Sequence, residues 1–247
     1  MTLPIYAIGD IHGDLDQLLA VHRRIKADAA DRKIEESLVL HIGDLVDRQP
    51  NSKEVIDYLI AGHAKGEPWI TLKGNHDRMM AMFLLHGQQD PCLRPDYTWL
   101  HHRLGGMITL QSYGVVGMED RSEADIRVEA LERVPSEHLA FLEGLPLYHE
   151  TEQVYFTHAG IIPEVALPDQ TEDALLWIRQ QFHDYQGMHP KLIVNGHTPV
   201  DEVTHYGNRV NIDTGAAYGR VLSVVVVTGG EVEVLEEGGR KELRPSG

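Results

Sequence analysis

The sequence predicts an α/β fold built around a largely parallel β-sheet. Short apolar runs alternate with segments of helical spacing over the first 86 residues. Three of the apolar runs end in a polar, glycine-containing turn, at residues 9–13, 43–48 and 74–77. Parallel strands need a crossover connection, which is usually a helix. The alternation therefore predicts successive strand–helix units.

The first unit consists of a strand at residues 3–8 and a helix at residues 14–29. The strand is a short apolar run that stops at Gly9. The helix is predicted because apolar residues recur at the spacing of one helix face. That face carries Leu15, Leu18, Leu19, His22 and Ile25. Since His22 lies on the apolar face, we interpret it as a packed core residue and not as a metal ligand.

The second and third units follow the same plan. Strands are predicted at residues 37–42 and 69–72, and the third unit continues as a helix over 78–86. Asn51 is placed to cap the helix between the two strands, with Glu54 three residues later as its capping-box partner. His41 precedes a polar turn inside an apolar run, so we interpret it as a hydrogen-bonded core residue.

Residues 87–133 interrupt this rhythm. They contain two prolines and the pair Gly105-Gly106, and they show no clean period. We therefore predict an insertion that lies over the functional site.

The regular pattern resumes after residue 133. Ser136 is expected to cap a short helix that ends near residue 144, and helical spacing covers residues 172–182. Strands at residues 154–157 and 191–195 are predicted to deliver His158 and His197 to their ends.

The last part of the chain predicts four short β segments, at residues 203–206, 209–212, 221–227 and 231–235. A Thr-Gly-Gly sequence at 228–230 predicts a hairpin between the last two. Residues 236–247 are acidic and glycine-rich, which predicts a flexible tail. Because neither a repeat nor a composition boundary is visible, we expect a single domain over residues 1–247.

Composition limits the functions that this chain can have. The formal net charge of −16 argues against non-specific binding to nucleic acid or to anionic membranes, which requires a basic surface. Cys92 is the only cysteine, so no intrachain disulfide can form, and a reducing, cytoplasmic compartment is expected. A phosphorylated substrate stays possible, since bound divalent ions reverse the local field.

Six polar residues at the predicted strand ends are typical of a metal site. They are Asp10, His12, Asp44, Asn75, His158 and His197. Asp10 and His12 lie two residues apart in an extended segment, so both side chains can point at one ion. Because a carboxylate has two oxygens, Asp44 can bridge two ions, and the six ligands then divide between two sites that share it.

Mixed imidazole and carboxylate ligands suit Zn, Fe or Mn better than Ca. Paired ions about 3.5–4 Å apart activate a bridging water and stabilise both the attacking and the leaving oxygen of an in-line displacement. The sequence therefore predicts a metal-dependent phosphoesterase with two divalent ions as cofactors.

The same segments resemble a known family. Gly-Asp-Ile-His-Gly at 9–13, Gly-Asp-Leu-Val-Asp-Arg at 43–48 and Gly-Asn-His-Asp at 74–77 resemble the phosphoprotein phosphatases within the calcineurin-like metallophosphoesterases. Thr-His-Ala-Gly around His158 and Gly-His-Thr-Pro around His197 match the two later histidines of that family. The resemblance implies a calcineurin-like sandwich, in which helices flank mixed β-sheets in four α/β/β/α layers.

The resemblance also implies a role for each matching residue. Asp10, His12 and Asp44 would hold the first ion, and the second would be held by Asp44, Asn75, His158 and His197. Manganese is the expected metal, with iron or zinc as alternatives.

The phosphoryl chemistry would fall to neighbouring residues. His76 would protonate the leaving oxygen, and Asp47 would orient His76. Arg48 would bind the phosphoryl oxygens bidentately, next to Asn75. Arg179 is the candidate for a second phosphate-binding arginine, since similar bacterial members carry one in such a segment.

Small departures from the family pattern leave the substrate open. Lys73, Asp77 and Gln49 stand where many protein phosphatases have Arg, Glu and Gly. Gly-Asn-His-Asp resembles the symmetrical dinucleoside tetraphosphate hydrolases, whereas Asp47 and Gly-His-Thr-Pro favour a protein phosphatase. The leading prediction is a phosphomonoesterase acting on a phosphorylated protein or a small phosphoester. The alternatives are a dinucleoside tetraphosphate hydrolase and a non-catalytic metal-binding scaffold.

Overall fold

The computed structural model describes residues 3–246. Its strands in chain order are β1 (Ile5–Ile8), β2 (Leu38–His41), β3 (Trp69–Thr71), β4 (Tyr148–Glu150), β5 (Val154–Thr157), β6 (Leu192–Asn195), β7 (Thr204–His205), β8 (Arg209–Asn211), β9 (Val224–Thr228), β10 (Glu231–Glu236) and β11 (Gly239–Glu242). The α-helices are α1 (Leu15–Asp31), α2 (Ser52–Ala64), α3 (Asn75–Ala81), α4 (Gly106–Ser112), α5 (Glu123–Arg133), α6 (Ser136–Gly144), α7 (Glu172–Trp177) and α8 (Gln180–His183). A π-helical turn, Met82–His86, continues α3. None of the helices in the described range is long and apolar enough to cross a membrane.

The strands form two mixed sheets. The first has the order β11-β10-β9-β1-β2-β3, in which β1, β2 and β3 are parallel and β9 to β11 are antiparallel. The second has the order β4-β5-β6-β8-β7, with β5, β6 and β8 parallel. The parallel strands β1, β2, β5 and β6 are followed by predicted metal ligands. Their carboxyl ends therefore gather these residues at one edge of each sheet.

Apolar side chains fill the space between the two sheets and cover their outer faces. Ala7 and Leu40 of the first sheet pack in one cluster with Phe156 and Val194 of the second. A larger cluster joins the other face of the first sheet to α1 and α2. A third joins the outer face of the second sheet to α7 and α8. The predicted arrangement of mixed sheets flanked by helices is confirmed.

Several local predictions differ from the structure at helix ends. Asn51 precedes α2 but makes no side-chain capping bond, so the predicted capping box does not form. Ser136 is the first residue of α6, which follows Pro135, and does not cap it. The third helix begins at Asn75, three residues before its predicted start, because the carboxylate of Asp77 accepts the backbone N–H of Gly74.

The predicted helix over residues 172–182 is broken. The structure has α7 and α8 instead, separated by Ile178 and Arg179. The backbone of Arg179, at φ −134° and ψ −94°, is far from helical values. This break turns the Arg179 side chain towards the functional site, and periodicity alone cannot reveal it.

Residues 239–242 form β11, although a flexible tail is predicted from residue 236. The strand pairs with β10, and Arg240 is buried against Asp28 of α1, with Nη2 2.6 Å from Oδ2. Arg240 also donates to the hydroxyl of Tyr6 in β1. A buried arginine and aspartate satisfy each other's charge, and this ion pair fixes the strand to the sheet.

His22 and His41 are both buried, as predicted, and they also contact each other. Their Nε2 atoms lie 3.0 Å apart, and Nδ1 of His41 lies 3.1 Å from Oγ1 of Thr71. Burial lowers the pKa of His22 to about 4 and that of His41 well below its usual value. Both rings are therefore neutral in the folded protein at pH 7.

We expect acid to destabilise the protein through this pair. The imidazole of His22 takes up a proton near pH 6.5 in the unfolded chain but only near pH 4 when folded. Acidification from pH 7 to pH 5 should therefore lower the free energy of unfolding by about 2 kcal/mol for this residue alone. Urea midpoints at both pH values, measured with chelator for wild type and His22→Gln, test this. The variant should lose less stability, and an equal loss in the two proteins contradicts the expectation.

Candidate metal centre

The predicted ligands converge where the parallel strands of the two sheets end. Asp10 follows β1 and Asp44 follows β2, while Asn75 is the first residue of α3 after β3. His158 and His197 follow β5 and β6 in the other sheet. All five side chains are buried, and so is that of His12. Residues that are far apart in the chain thus form one buried polar cluster.

Backbone strain is concentrated at this cluster. Seven non-glycine residues in the described range have positive φ. Five of these are candidate site residues: His12 (48°), Asp44 (50°), Asp47 (74°), Arg48 (72°) and His197 (70°). Such conformations cost of order 1–3 kcal/mol each and persist where the surrounding structure enforces them, often at functional sites.

The first group of donor atoms surrounds one oxygen of Asp44. Nδ1 of His12 lies 2.9 Å from the carbonyl oxygen of Val46, to which an N–H can donate. This leaves the lone pair of Nε2 directed at Oδ2 of Asp44, 3.3 Å away. Ring nitrogens of His12 and His76 and a carboxylate oxygen of Asp44 all lie within 4.8 Å of one another, close enough to share an ion.

The second group surrounds the other oxygen of Asp44. Nε2 of His158 lies 3.3 Å from Oδ1 of Asp44 and 2.9 Å from Oδ1 of Asn75. Nδ1 of His197 lies 2.8 Å from the same Asn75 oxygen. Asp44, His158 and His197 again have donor atoms within 4.8 Å of one another. Asp44 therefore directs one oxygen at each group, as a bridging ligand must.

The charges of this cluster also fit a cation. Burial, together with the charges of Asp213 and Asp44, raises the pKa of Asp10 well above its usual range. Burial, opposed by the N–H of Gly215 and reinforced by Asp44, raises the pKa of Asp213 to about 6. Oδ1 of Asp10 is buried without a hydrogen-bond partner, and a Cβ at Gly196 would overlap this oxygen. A divalent ion would neutralise these three buried carboxylates and would give Oδ1 of Asp10 a partner.

The histidines are in the protonation state that metal binding requires. Burial lowers the pKa of His12 to about 4, and it lowers the pKa values of His158 and His197 as well. Neutral imidazole binds a metal, whereas imidazolium does not. These three rings are therefore neutral at pH 7, as metal binding requires.

A second set of residues lies beside the donor groups. Nδ1 of His76 lies 2.6 Å from Oδ2 of Asp47, and both side chains are buried. Nη2 of Arg48 lies 3.2 Å from Nε2 of His76. The structure thus joins Asp47, His76 and Arg48 in one chain of contacts.

The two candidate phosphate-binding arginines both reach this site. Nη1 of Arg48 donates to the hydroxyl of Tyr218 at 2.9 Å, and its guanidinium lies 5.1 Å from the centre of that ring. Nε of Arg179 donates to Nε2 of His197 at 3.0 Å. Tyr218 is 65% exposed, so it borders the site on the solvent side.

Four residues that contact the candidate site were not predicted from the sequence. Tyr218 contacts Arg48, and Asp213 adds a third carboxylate beside Asp10 and Asp44. Trp99 and Thr109 come from residues 87–133 and hydrogen-bond to Asp47. The pair Gly105-Gly106 in that segment was the one available signal, because adjacent glycines often mark a close backbone approach.

Comparison with known proteins agrees with this geometry. The model of the calcineurin-like phosphoesterase family matches residues 3–230. The chain belongs to this family. It is a metallophosphoesterase, a hydrolase, and such enzymes use a dinuclear divalent metal centre.

Curated relatives of this metallophosphoesterase carry different names. "Bis(5'-nucleosyl)-tetraphosphatase PrpE [asymmetrical]" of Halalkalibacterium halodurans is 27% identical, over 88% of this chain and 87% of that one. "Serine/threonine-protein phosphatase 1" of Salmonella typhimurium is 24% identical, over 89% and 90%. "Bis(5'-nucleosyl)-tetraphosphatase, symmetrical" of Nitrosococcus oceani is 41% identical, but over only 30% of this metallophosphoesterase and 24% of that chain.

Solved structures support the fold. A cold-active protein-tyrosine phosphatase of a psychrophilic Shewanella matches this metallophosphoesterase with a TM-score of 0.65 and 16% identity, over 99% of this chain and 81% of that one. A serine/threonine phosphatase of Saccharomyces cerevisiae matches with a TM-score of 0.52 and 16% identity, over 97% and 76%. At these identities the likeness concerns the fold alone.

Proposed function

We propose that this metallophosphoesterase is a phosphomonoesterase that acts on phosphorylated proteins or small phosphoesters. The observation that carries the proposal is the arrangement of Asp44, His76 and Arg48. Asp44 directs one oxygen at each donor group, and the contact between His76 and Arg48 lies beside them. Such a site can hold a phosphoryl group, activate water and protonate a leaving oxygen.

We assign the six predicted ligands to two ions. Asp10, His12 and Asp44 would hold one, and the other would be held by Asp44, Asn75, His158 and His197. When bound, the ions supply a nucleophilic water at neutral pH and stabilise charge on the phosphoryl oxygens. The mixed nitrogen and oxygen donors favour Mn, with Fe or Zn as alternatives.

His76 has two competing roles. The short distances to His12 and Asp44 would allow it to ligate an ion in place of Asp10. However, Asp47 occupies Nδ1, and Nε2 faces Arg48. The Asp47 carboxylate orients the ring, and Nε2 points at the phosphate-binding Arg48, where the leaving oxygen would lie. The guanidinium of Arg48 has to turn to the phosphoryl group before Nε2 can carry the proton. We therefore assign to His76 the transfer of a proton from Nε2 to the leaving oxygen.

Arg48, Arg179 and Asn75 would bind the phosphoryl group. Arg179 is already engaged, because its Nε–H donates to Nε2 of His197. The proton of the neutral His197 ring is therefore on Nδ1. An ion bound at Nδ1 would require this proton on Nε2, where it would face the N–H of Arg179. Metal binding would therefore free the guanidinium of Arg179 for the substrate.

Hydrolysis of dinucleoside tetraphosphates is the second candidate. The relative named as an asymmetrical tetraphosphatase is similar over 88% of the chain, whereas the cited symmetrical one covers 30%. Tyr218, exposed and in contact with Arg48, is placed where an aromatic ring could stack on a nucleobase.

A substrate panel distinguishes the two candidates. We expect kcat/KM with Mn²⁺ to be at least about tenfold higher on phosphothreonine or phosphotyrosine peptides than on diadenosine tetraphosphate. The reverse ratio would favour the second candidate, and the products would then show whether cleavage gives two ADP or ATP and AMP. Chelator should abolish turnover of every substrate. Full activity of the metal-stripped protein, or no turnover of any phosphoester, would overturn both candidates.

A further inference from the structure

The carboxylate of Asp47 is completely buried and accepts hydrogen bonds at both of its oxygens. Oδ2 accepts from Nδ1 of His76 at 2.6 Å and from Nε1 of Trp99 at 2.9 Å. Oδ1 accepts from the hydroxyl of Thr109 at 2.6 Å. Asp47 has 0% exposure. A buried carboxylate is costly unless it is paired and hydrogen-bonded, and here two of its three donors come from residues 87–133.

Thr109 holds the backbone of Asp47 as well as its side chain. The N–H of Asp47 donates to Oγ1 of Thr109 at 2.8 Å and points at Oγ of Ser52 at 3.1 Å. Asp47 and Arg48 both have positive φ, at 74° and 72°. Since strained residues persist only where their surroundings enforce them, the hydroxyl of Thr109 helps to maintain this turn.

The backbone that carries Trp99 and Thr109 lies directly against Arg48. Gly105 has φ of 97°, and a Cβ there would overlap the backbone nitrogen of Arg48. A Cβ at Gly106 would lie 2.6 Å from the carbonyl oxygen of Trp99. The adjacent glycines therefore allow an approach that no other residue type would permit.

We propose that Trp99 and Thr109 are positioning residues for the His76–Asp47 pair, an inference that rests on the proposed role of His76 as general acid. Their two donors fix the plane of the Asp47 carboxylate. The carboxylate in turn fixes the ring of His76, so that Nε2 points at the position of the leaving oxygen. The segment 87–133 thus contributes to the chemistry itself, in addition to lying beside the site.

The proton balance of the step is simple. Nε2 of His76 gives its proton to the leaving oxygen as the P–O bond breaks, and the ring becomes neutral. Nδ1 keeps its proton and its bond to Asp47 throughout, so neither Trp99 nor Thr109 gains or loses a proton. The ring regains a proton from water before the next turnover. A misplaced carboxylate would misdirect Nε2 without changing the ligands of either ion.

Leaving-group dependence tests this positioning role. A poor leaving group needs the proton, whereas a good one departs without it. Trp99→Phe removes one donor to the Asp47 carboxylate, and Thr109→Val removes both a donor to that carboxylate and an acceptor of the Asp47 N–H. Each should lower kcat on phenyl phosphate about tenfold and kcat on 2,4-dinitrophenyl phosphate less than about twofold. Thr109→Ser keeps the hydroxyl and should restore most of the rate on phenyl phosphate. KM should change little in Trp99→Phe, because this change leaves the hydrogen bonds of the turn that carries Arg48 in place.

Two further measurements keep the test decisive. Thr71→Val removes another buried hydroxyl, one that contacts His41 and His63, and should leave the ratio of the two rates unchanged. The NMR signal of the Trp99 indole N–H should move upfield in Asp47→Asn, and this readout needs no turnover. Equal losses on both esters in Trp99→Phe and Thr109→Val, or an unmoved indole signal, would overturn the inference while the proposed function stands. A wild-type protein that hydrolyses neither ester would instead overturn the proposed function.

Discussion

Asp44→Asn is expected to weaken binding of both ions and to lower turnover by about 10³-fold, since metal stabilisation of the transition state is worth several kcal/mol. Asp44 faces His12 with one oxygen and His158 with the other, each at 3.3 Å. An amide keeps one of these oxygens, puts an NH₂ group in place of the other and removes the negative charge. This change of a few atoms would therefore lower the affinity of both donor groups for their ions.

The ionisation of Asp44 supports this expectation. Burial opposes its charged form, but the neighbouring imidazoles of His158, His76 and His12 hold its pKa well below its usual range. Asp44 is thus the carboxylate that stays ionised, whereas the pKa of its neighbour Asp10 is raised. An ion would encounter Asp44 already charged.

Metal analysis of the purified protein checks the result. Wild type should hold about two ions per chain, and Asp44→Asn should hold none or one, bound weakly. Added Mn²⁺ should raise the Tm of wild type and hardly change that of the variant, because binding to the folded state alone stabilises it. Asp201→Asn makes the same chemical change on a side chain that is 94% exposed and should behave like wild type. Two tightly held ions in Asp44→Asn would contradict the bridging role.

The strand ends were predictable because their signals are local. An apolar run followed by Gly-Asp or Gly-Asn is read directly from the sequence, and parallel strands bring their carboxyl ends to one edge. Asp10, Asp44 and Asn75 therefore lie at neighbouring strand ends in the structure, as predicted. His158 and His197 were also predicted to follow strands, but these strands belong to the second sheet. How the two sheets pack, and so how the two histidines meet the other residues, cannot be predicted from local patterns.

The residues that the sequence missed depend on long-range contacts. Trp99 and Thr109 lie 52 and 62 positions from Asp47 in the chain, in a segment with no period. Nothing local links them to a carboxylate that is buried elsewhere. The break at Arg179 was hidden for a related reason: apolar spacing continues across it, and the contact that Arg179 makes there is with His197, 18 positions away in the chain.

These contacts imply that the acid pair is built from three separate parts of the chain. Asp47 follows β2, His76 lies in α3, and the two donors to Asp47 come from the connection around α4. The positions of the metal donors are set by the strand ends. The position of the acid pair is set, in addition, by hydrogen bonds from residues 87–133. Changes in that connection could therefore alter the chemical step and leave metal binding intact.

His76→Asn should separate the acid role from metal binding. We expect kcat on phenyl phosphate to fall by about 10²–10⁴-fold, the usual contribution of a general acid, while the protein keeps both ions. Asparagine can still reach Asp47 with its amide, so the buried carboxylate keeps a donor, but it cannot give a proton to the leaving oxygen.

The decisive comparison for His76 is between metal content and rate. A large loss of rate with about two ions retained would support the acid role, and the loss should be smaller on 2,4-dinitrophenyl phosphate. Loss of an ion would show that His76 binds the first ion, as its short distances to His12 and Asp44 allow. Asp10 would then not be a ligand of that ion. Asp10→Asn provides the matched test: under our assignment it loses an ion where His76→Asn does not. Oδ1 of Asp10, buried beside Gly196, favours that outcome, because it is a carboxylate oxygen with no hydrogen-bond partner in the described residues.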